Sequence, residues 1–219
     1  RLKDSGNDRQ LLVMQGNGGI LNASAAARQP VQTVMSGPAA GAVAAAHIGR
    51  QAGFENLIAC DMGGTSFDVS LILGGTPALS AEKDLAYGVP VHVPMVDIHT
   101  IGAGGGSIAR VDAAGLLRVG PESAGAEPGP VRYGRGGAKP TVTDANLMLG
   151  RVEPSGFAGV NQAHGTEVVA AALGSAIGDP LALDAVSAAA AVLAVAGNQL
   201  ASAIRLVSVE KGHDPRDFT

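Results

Sequence analysis

Apolar positions along this chain fall into distinct rhythms. Short apolar runs bounded by glycine or polar clusters predict strands: Leu11 to Met14 ahead of Gln15-Gly16-Asn17-Gly18-Gly19, Leu57 to Cys60, and Phe67 to Leu73. Residues 76 to 120 look mostly extended. Val89 to Val96 mixes β-branched residues with prolines, which suits an edge or irregular strand, and Met95 to Ile101 leads into a glycine-dense loop. Ser107 to Val111 and Leu116 to Val119 flank Asp112-Ala113-Ala114-Gly115 as a hairpin.

Alanine-rich stretches predict helices. One starts with Ser36 as N-cap and Pro38 in its first turn, runs to about Gln51 and stops at a left-handed Gly53. Thr143 caps a short helix ending near Gly150. Further helices are expected from Thr166 to about Ile177 and, after a Gly178-Asp179-Pro180 break, from Leu183 to Val209. The stretch from Gly120 to Pro140 has little periodicity and is too long for a plain connection. It reads as functional, mobile, or packed on another subunit. There is no internal repeat, and strands followed by helices give an α+β or α/β half-domain.

Composition narrows the function classes. The 219 residues suit one sizeable domain or two small ones, and a net charge of −4 with scattered basic residues gives no footprint for nucleic acid. The one cysteine, Cys60, allows no internal disulfide and no zinc framework, and its apolar strand suggests a buried, inert thiol. Ala185 to Ile204 carries no charge, yet it is rich in alanine and contains Ser187, Asn198 and Gln199, so it predicts a core helix and no membrane span. The first ten residues are polar, with no secretory signal, and a cytoplasmic protein is the expectation. The start at Arg1 and the stop at Thr219 suggest a piece of a longer polypeptide.

The candidate chemistry concentrates between the strands ending at Cys60 and starting at Phe67. Asp61-Met62-Gly63-Gly64-Thr65-Ser66-Phe67-Asp68 places paired glycines and two hydroxyls between two carboxylates. Adjacent glycines let consecutive N–H groups converge on an anion, Thr65 and Ser66 add donors, and Asp61 could hold a hydrated Mg2+. An ordinary Gly-Gly hairpin turn is the competing reading. Gly102-Ala103-Gly104-Gly105-Gly106-Ser107 is no dinucleotide fingerprint, because Ser107 takes the sixth position and a strand pattern follows. It faces phosphate or ribose, or it is a crossing where backbone approaches backbone. Asp97 and His99 share a strand face as metal or proton-transfer candidates, against a plain buried histidine. His47, His92, His164 and His213 show no ligand spacing, and Glu122 and Glu127 read as solvated. Asp144 and Asn146 fit ligand contact or helix capping equally.

Asp61-Met62-Gly63-Gly64-Thr65-Ser66-Phe67-Asp68-Val69 also resembles the second phosphate loop of the hydantoinase A / 5-oxoprolinase family. Met35 to Gly41, Val96 to Ser107, Gly120 to Pro130 and Lys139 to Asn146 match the same family in order. The resemblance implies an α/β fold of the ribonuclease-H-like kind, an actin-like ATPase half-domain with a mixed sheet and flanking helices. Residues 1–219 would form a single partial domain, the second half of that core. It implies ATP and Mg2+ as cofactors and a cyclic amide as substrate, with activation by phosphorylation of the amide oxygen. Gly63, Gly64, Thr65 and Ser66 would hold phosphates together with Gly104, Gly105 and Gly106. Asp61 would act in catalysis and at the metal, with Asp68 a second metal candidate. A hydantoinase B-type subunit or domain is the implied partner, and a homo-oligomer a further one. The family's first phosphate loop and adenosine loop are not visible, so the isolated segment is expected to be inactive. A related ATP-dependent carboxylase subunit, or a non-catalytic nucleotide-binding or assembly module on the same fold, is the alternative.

Overall fold

The structure, a computed structural model, describes all residues except 1–3, 7, 82, 86–88, 92 and 154–164. His92, His164 and part of the Val89–Val96 pattern therefore lie outside the described residues. The chain forms two compact units: residues 1–61, 68–99 and 206–219 make the first, and residues 62–67 and 100–205 the second.

In the first unit, β1 (Leu12–Met14) and β2 (Ile20–Asn22) pair antiparallel, Met14 opposite Ile20. The glycine turn between them closes with Gln15 N–H donating to Gly19 O at 2.8 Å. Asn22 ends β2 and caps α1 (Ala23–Arg28), its side chain accepting from Ala25 N–H at 2.8 Å. Neither β2 nor α1 was expected, since three-residue and six-residue elements leave almost no periodic signal.

Helix α2 (Ser36–Gln51) begins one residue away from the expected cap: Met35, in the left-handed region at φ 58°, is the N-cap, and Ser36 is already helical. Met35 packs against Ala39, Ala42, Val96 and Ile98, so apolar packing rather than a hydroxyl fixes the entry to this helix. Its end matches expectation. Gly53 is left-handed at φ +84°, Phe54 N–H donates to Gly49 O at 2.8 Å, and Gly53 N–H donates to Arg50 O at 3.2 Å. That is the Schellman pattern, which satisfies carbonyls the helix leaves open.

The main sheet has the order β10–β4–β3, from β3 (Leu57–Met62), β4 (Phe67–Leu73) and β10 (Ile98–Ile101). Central β4 is the most apolar, with Phe67, Val69, Leu71 and Ile72 buried. Short β5 (Thr76–Pro77) turns back along it, Ile72 opposite Pro77. Two small antiparallel pairs complete this region: β6 (Leu79–Ser80) with β9 (Met95–Val96), and β7 (Lys83–Leu85) with β8 (Val89–Val91). Thr219 lies along β3, donating to Asn56 O at 3.1 Å and accepting from Ile58 N–H at 3.0 Å.

The second unit is built on a hairpin and a helical layer. β11 (Ser107–Val111) and β12 (Leu117–Ser123) pair as the sequence predicts, with Gly115 at φ +78° in the turn and a register shift between Ser107 and Ala109. Helices α3 (Val142–Met148), α4 (Thr166–Leu173), α5 (Asp179–Leu181) and α6 (Ala185–Val207) follow. The predicted helix through Ile177 is completed by a π turn at Gly174–Gly178. Val119, Val131, Val142, Leu147, Val169, Leu173, Ile177 and Val192 form one buried core with Ala188, Ala189 and Ala196. Each fully buried valine or leucine in it contributes about 1.5–3 kcal/mol. Among the described residues α6 with its extension to Lys211 is long and apolar enough, by composition, to cross a membrane. Its helically spaced Ala188, Ala189, Val192 and Ala196 instead sit in this core.

Candidate functional site

The turn at residues 62–67 belongs to the second unit. Gly63 N–H donates to Ser66 O at 2.9 Å and closes it. Gly63, Gly64 and Thr65 are exposed. Among the described residues the N–H groups of Gly64, Thr65 and Ser66 and the hydroxyls of Thr65 and Ser66 have no hydrogen-bond partner. Exposed, consecutive main-chain donors of this kind are what an anion needs.

The glycine-dense loop lies directly against this turn. Gly105 N–H donates to Gly63 O at 2.9 Å and Gly106 N–H to Gly64 O at 2.6 Å. Gly104 N–H donates to Ser107 Oγ at 2.9 Å. A Cβ at Gly104 would stand 2.7 Å from Gly64 C, Gly64 O and Thr65 N, and one at Gly106 2.8 Å from Gly64 O. Only glycine permits so close a main-chain crossing. Of the two readings left open for Gly104, Gly105 and Gly106, the backbone crossing is the one these hydrogen bonds show: their amides are engaged inside the protein, where they brace the turn.

The brace is itself held. Thr143 donates to Gly105 O twice, from N–H at 2.7 Å and from Oγ1 at 2.8 Å. Thr143 is not the helix cap. Thr141 is, in a capping box in which its hydroxyl accepts from Asp144 N–H at 3.3 Å and Asp144 Oδ2 accepts from Thr141 N–H at 2.9 Å. Asp144 is fully buried, and its carboxylate also accepts from Thr141 Oγ1 at 2.8 Å, Val131 N–H at 3.1 Å and Arg132 N–H at 2.9 Å. One carboxylate thus ties the Gly/Pro-rich segment to the start of α3. Of the readings open for Asp144, capping is the one realised, and Asn146 donates from Nδ2 to Val142 O at 3.0 Å within the helix.

That Gly/Pro-rich segment packs on its own unit. Pro130 and Val131 are buried, and a Cβ at Gly137 would stand 2.1 Å from Gly129 O. With Ile108 and Ser123 it lines a groove of about 400 Å³ that includes Glu122, Glu127 and Lys139. Glu122 and Lys139 pair across it at 3.1 Å, both exposed. Surface pairs of this kind contribute at most about 1 kcal/mol.

In the first unit, Asp61 near the end of β3 and Asp68 on β4 line one cavity of about 310 Å³. Its far wall is one face of α2, including Gly41, Ala42, Ala45 and Ile48. A Cβ on Gly41 would come no nearer than 3.8 Å to Asp61 Oδ2, so this wall is loosely filled. Among the described residues no three His, Cys, Asp or Glu side chains gather as a metal cluster. Two carboxylates are still the protein share that Mg2+ commonly takes when phosphates and water complete its shell. Cys60 lines the same cavity and is exposed, contrary to the buried thiol expected. It sits on β3, at one end of the sheet order. Partial burial against apolar neighbours nonetheless pushes its pKa up, which keeps the thiol protonated and weakly nucleophilic. Asp97 is taken up in an ion pair with Lys211, and His99 is half-buried on β10.

The missed feature is the double donation from Thr143 to Gly105. Its signal was present: Thr141-Val142-Thr143-Asp144 is an S/T-x-x-D/E box, which places the cap at Thr141 and leaves Thr143 free for another task.

Comparison with known proteins agrees across the whole chain. The hydantoinase/oxoprolinase family model matches residues 1–219. The caprolactamase subunit alpha of Pseudomonas jessenii is 43% identical over 205 residues, covering 93% of this chain and 29% of that protein. The crystal structure of ATP-dependent caprolactamase from the same organism superposes with a TM-score of 0.85 at 40% identity, over 99% of this chain and 31% of the other. Nucleotide-free acetone carboxylase superposes with a TM-score of 0.86 at 31% identity, over 99% of this chain and 30% of the other. The chain therefore spans about a third of the length of these relatives. The mixed α/β class expected from the sequence holds, and it is consistent with an actin-like ATPase half-domain.

Proposed function

The chain belongs to the hydantoinase/oxoprolinase family, and from that premise we propose that it is the phosphate-binding part of an ATP-dependent enzyme that opens cyclic amides. The observation that carries the reading is the set of consecutive main-chain donors at Gly64, Thr65 and Ser66, the first two on exposed residues and the third on a half-buried one, without acceptors among the described residues. Gly64, Thr65 and Ser66 donate to the terminal phosphates of ATP, and Gly63, Gly104, Gly105 and Gly106 shape the turn. Asp61, one residue before the turn in sequence, holds Mg2+ directly or through its water and is the catalytic carboxylate. Asp68 is the second metal candidate. ATP, when bound, supplies the phosphoryl group that activates an otherwise inert amide oxygen, and Mg2+ offsets the phosphate charge. Positioning and charge neutralisation dominate such chemistry, which suits main-chain donors flanked by carboxylates.

The 219 residues are read as one partial family domain made of both units. The subunit naming of the caprolactamase relative supports a partner subunit or domain, which we place as hydantoinase B-type, with a homo-oligomer as a further assembly. A cytoplasmic site of action accords with the single cysteine. A second reading, an ATP-dependent carboxylase subunit, is supported by the acetone carboxylase superposition.

The test is ATP turnover by the full-length protein with its partner, with and without a lactam or hydantoin, in wild type and Asp61→Ala. The expected result is turnover that depends on the cyclic amide and falls at least 100-fold in Asp61→Ala, the scale of losing one key electrostatic group. Turnover that needs a carboxyl acceptor instead favours the carboxylase, and normal turnover in Asp61→Ala removes that residue from the site.

A further inference from the structure

We propose that Thr143 is a positioning residue for the nucleotide, acting through two peptide groups on donors it never touches. The inference rests on the reading that the 62–67 turn binds phosphate, and it explains how that turn keeps its amides pointed outward without a ligand.

Peptide planarity carries the argument. In a trans peptide the C=O of one residue and the N–H of the next point in opposite directions. Gly63 O accepts from Gly105 N–H at 2.9 Å, so the N–H of the same peptide group, that of Gly64, faces away from the glycine loop. Gly64 O accepts from Gly106 N–H at 2.6 Å, so Thr65 N–H faces away as well. Ser123 Oγ adds only a long contact to Gly64 O at 3.5 Å. Both exposed donors are thus aimed by hydrogen bonds at the opposite ends of their own peptide groups.

The same logic runs one step further back. Gly106 N–H belongs to the peptide group whose carbonyl is Gly105 O, and that oxygen receives both donors of Thr143, at 2.7 and 2.8 Å. Two donors on one carbonyl fix the plane of the Gly105–Gly106 peptide and polarise it. Such polarisation strengthens the bond its N–H makes, in keeping with the short 2.6 Å contact to Gly64 O. The sequence of groups is therefore Thr143, the Gly105–Gly106 peptide, the Gly64–Thr65 peptide, and an open donor at its end. The far end does not drift, because the buried Asp144 carboxylate anchors the first turn of α3 through Thr141. Glycine at 105 leaves room for the arrangement: a Cβ there would stand 2.8 Å from Thr143 Oγ1.

The experiment is calorimetric titration of the full-length protein with ATP and Mg2+, for wild type, Thr143→Val and Thr143→Ser. Valine keeps the β-branched shape and the main-chain donor, so Gly105 O retains one partner and the fold is preserved. Serine keeps the hydroxyl. The expected result is a Kd for ATP raised about fivefold or more in Thr143→Val, the effect of one hydrogen bond, and restored to within twofold of wild type in Thr143→Ser. A residue that only stabilises α3 would shift Tm alike in both variants and leave the Kd unchanged. Wild-type Kd in a folded Thr143→Val overturns the relay while the nucleotide reading stands. Failure of the wild type to bind ATP overturns both.

Discussion

Around the 62–67 turn, the contacts that matter run from main chain to main chain: amide to carbonyl, at distances that exclude even a methyl group. Around Asp61 the cavity is lined by α2 alanines and Gly41, where even an added Cβ would come no nearer than 3.8 Å to the carboxylate. The first arrangement fixes directions. The second leaves volume for something large and hydrated to enter beside two carboxylates. Donors that recognise an anion act by being aimed in advance, whereas a hydrated Mg2+ keeps several of its own water ligands and needs only one or two carboxylates from the protein.

The same substitution made in both places has opposite expected outcomes. Gly104→Ala is the larger effect. Its Cβ meets three main-chain atoms of the turn at 2.7 Å, and none of them is a flexible side-chain tip. A stability loss of about 1–3 kcal/mol is expected, read by thermal unfolding, together with at least a tenfold weaker ATP affinity. A variant that keeps wild-type affinity would show that the brace does not control the turn. Gly41→Ala is the smaller effect and of opposite sign. Its Cβ meets only Asp61 Oδ2 at 3.8 Å, and the position lies inside α2. Alanine there is expected to raise stability by about 0.5–1 kcal/mol through helix propensity and to leave ATP turnover within twofold. Destabilisation by Gly41→Ala would mean that the cavity wall is tighter than its geometry suggests.

What could be read in advance follows from the range of the forces involved. The strands bracketing the turn, the β11–β12 hairpin and the Gly53 helix stop are local events written in adjacent residues, and each was legible. So was the turn itself, because Asp61-Met62-Gly63-Gly64-Thr65-Ser66 names its own donors. The role of Gly104 to Gly106 was left between ligand contact and backbone crossing, since the deciding partner, Gly64, is some forty positions earlier. The cap at Thr141 was missed in favour of Thr143, although the box spacing was available. The entry to α2 was misplaced because Met35 is held left-handed by packing on Val96 and Ile98, a tertiary effect without a local signature. Cys60 looked buried from its apolar strand, but its exposure depends on where β3 lies in the sheet order.

The central claim is that the free amides after Gly63 receive the phosphates of ATP. Hydrogen–deuterium exchange of the full-length protein tests this most directly, followed in the peptide covering residues 62–67 with and without saturating ATP and Mg2+. Fast exchange at Gly64, Thr65 and Ser66 in the free protein, slowed at least tenfold by nucleotide, is the predicted result. Unchanged exchange in this peptide while ATP protects other segments would contradict it.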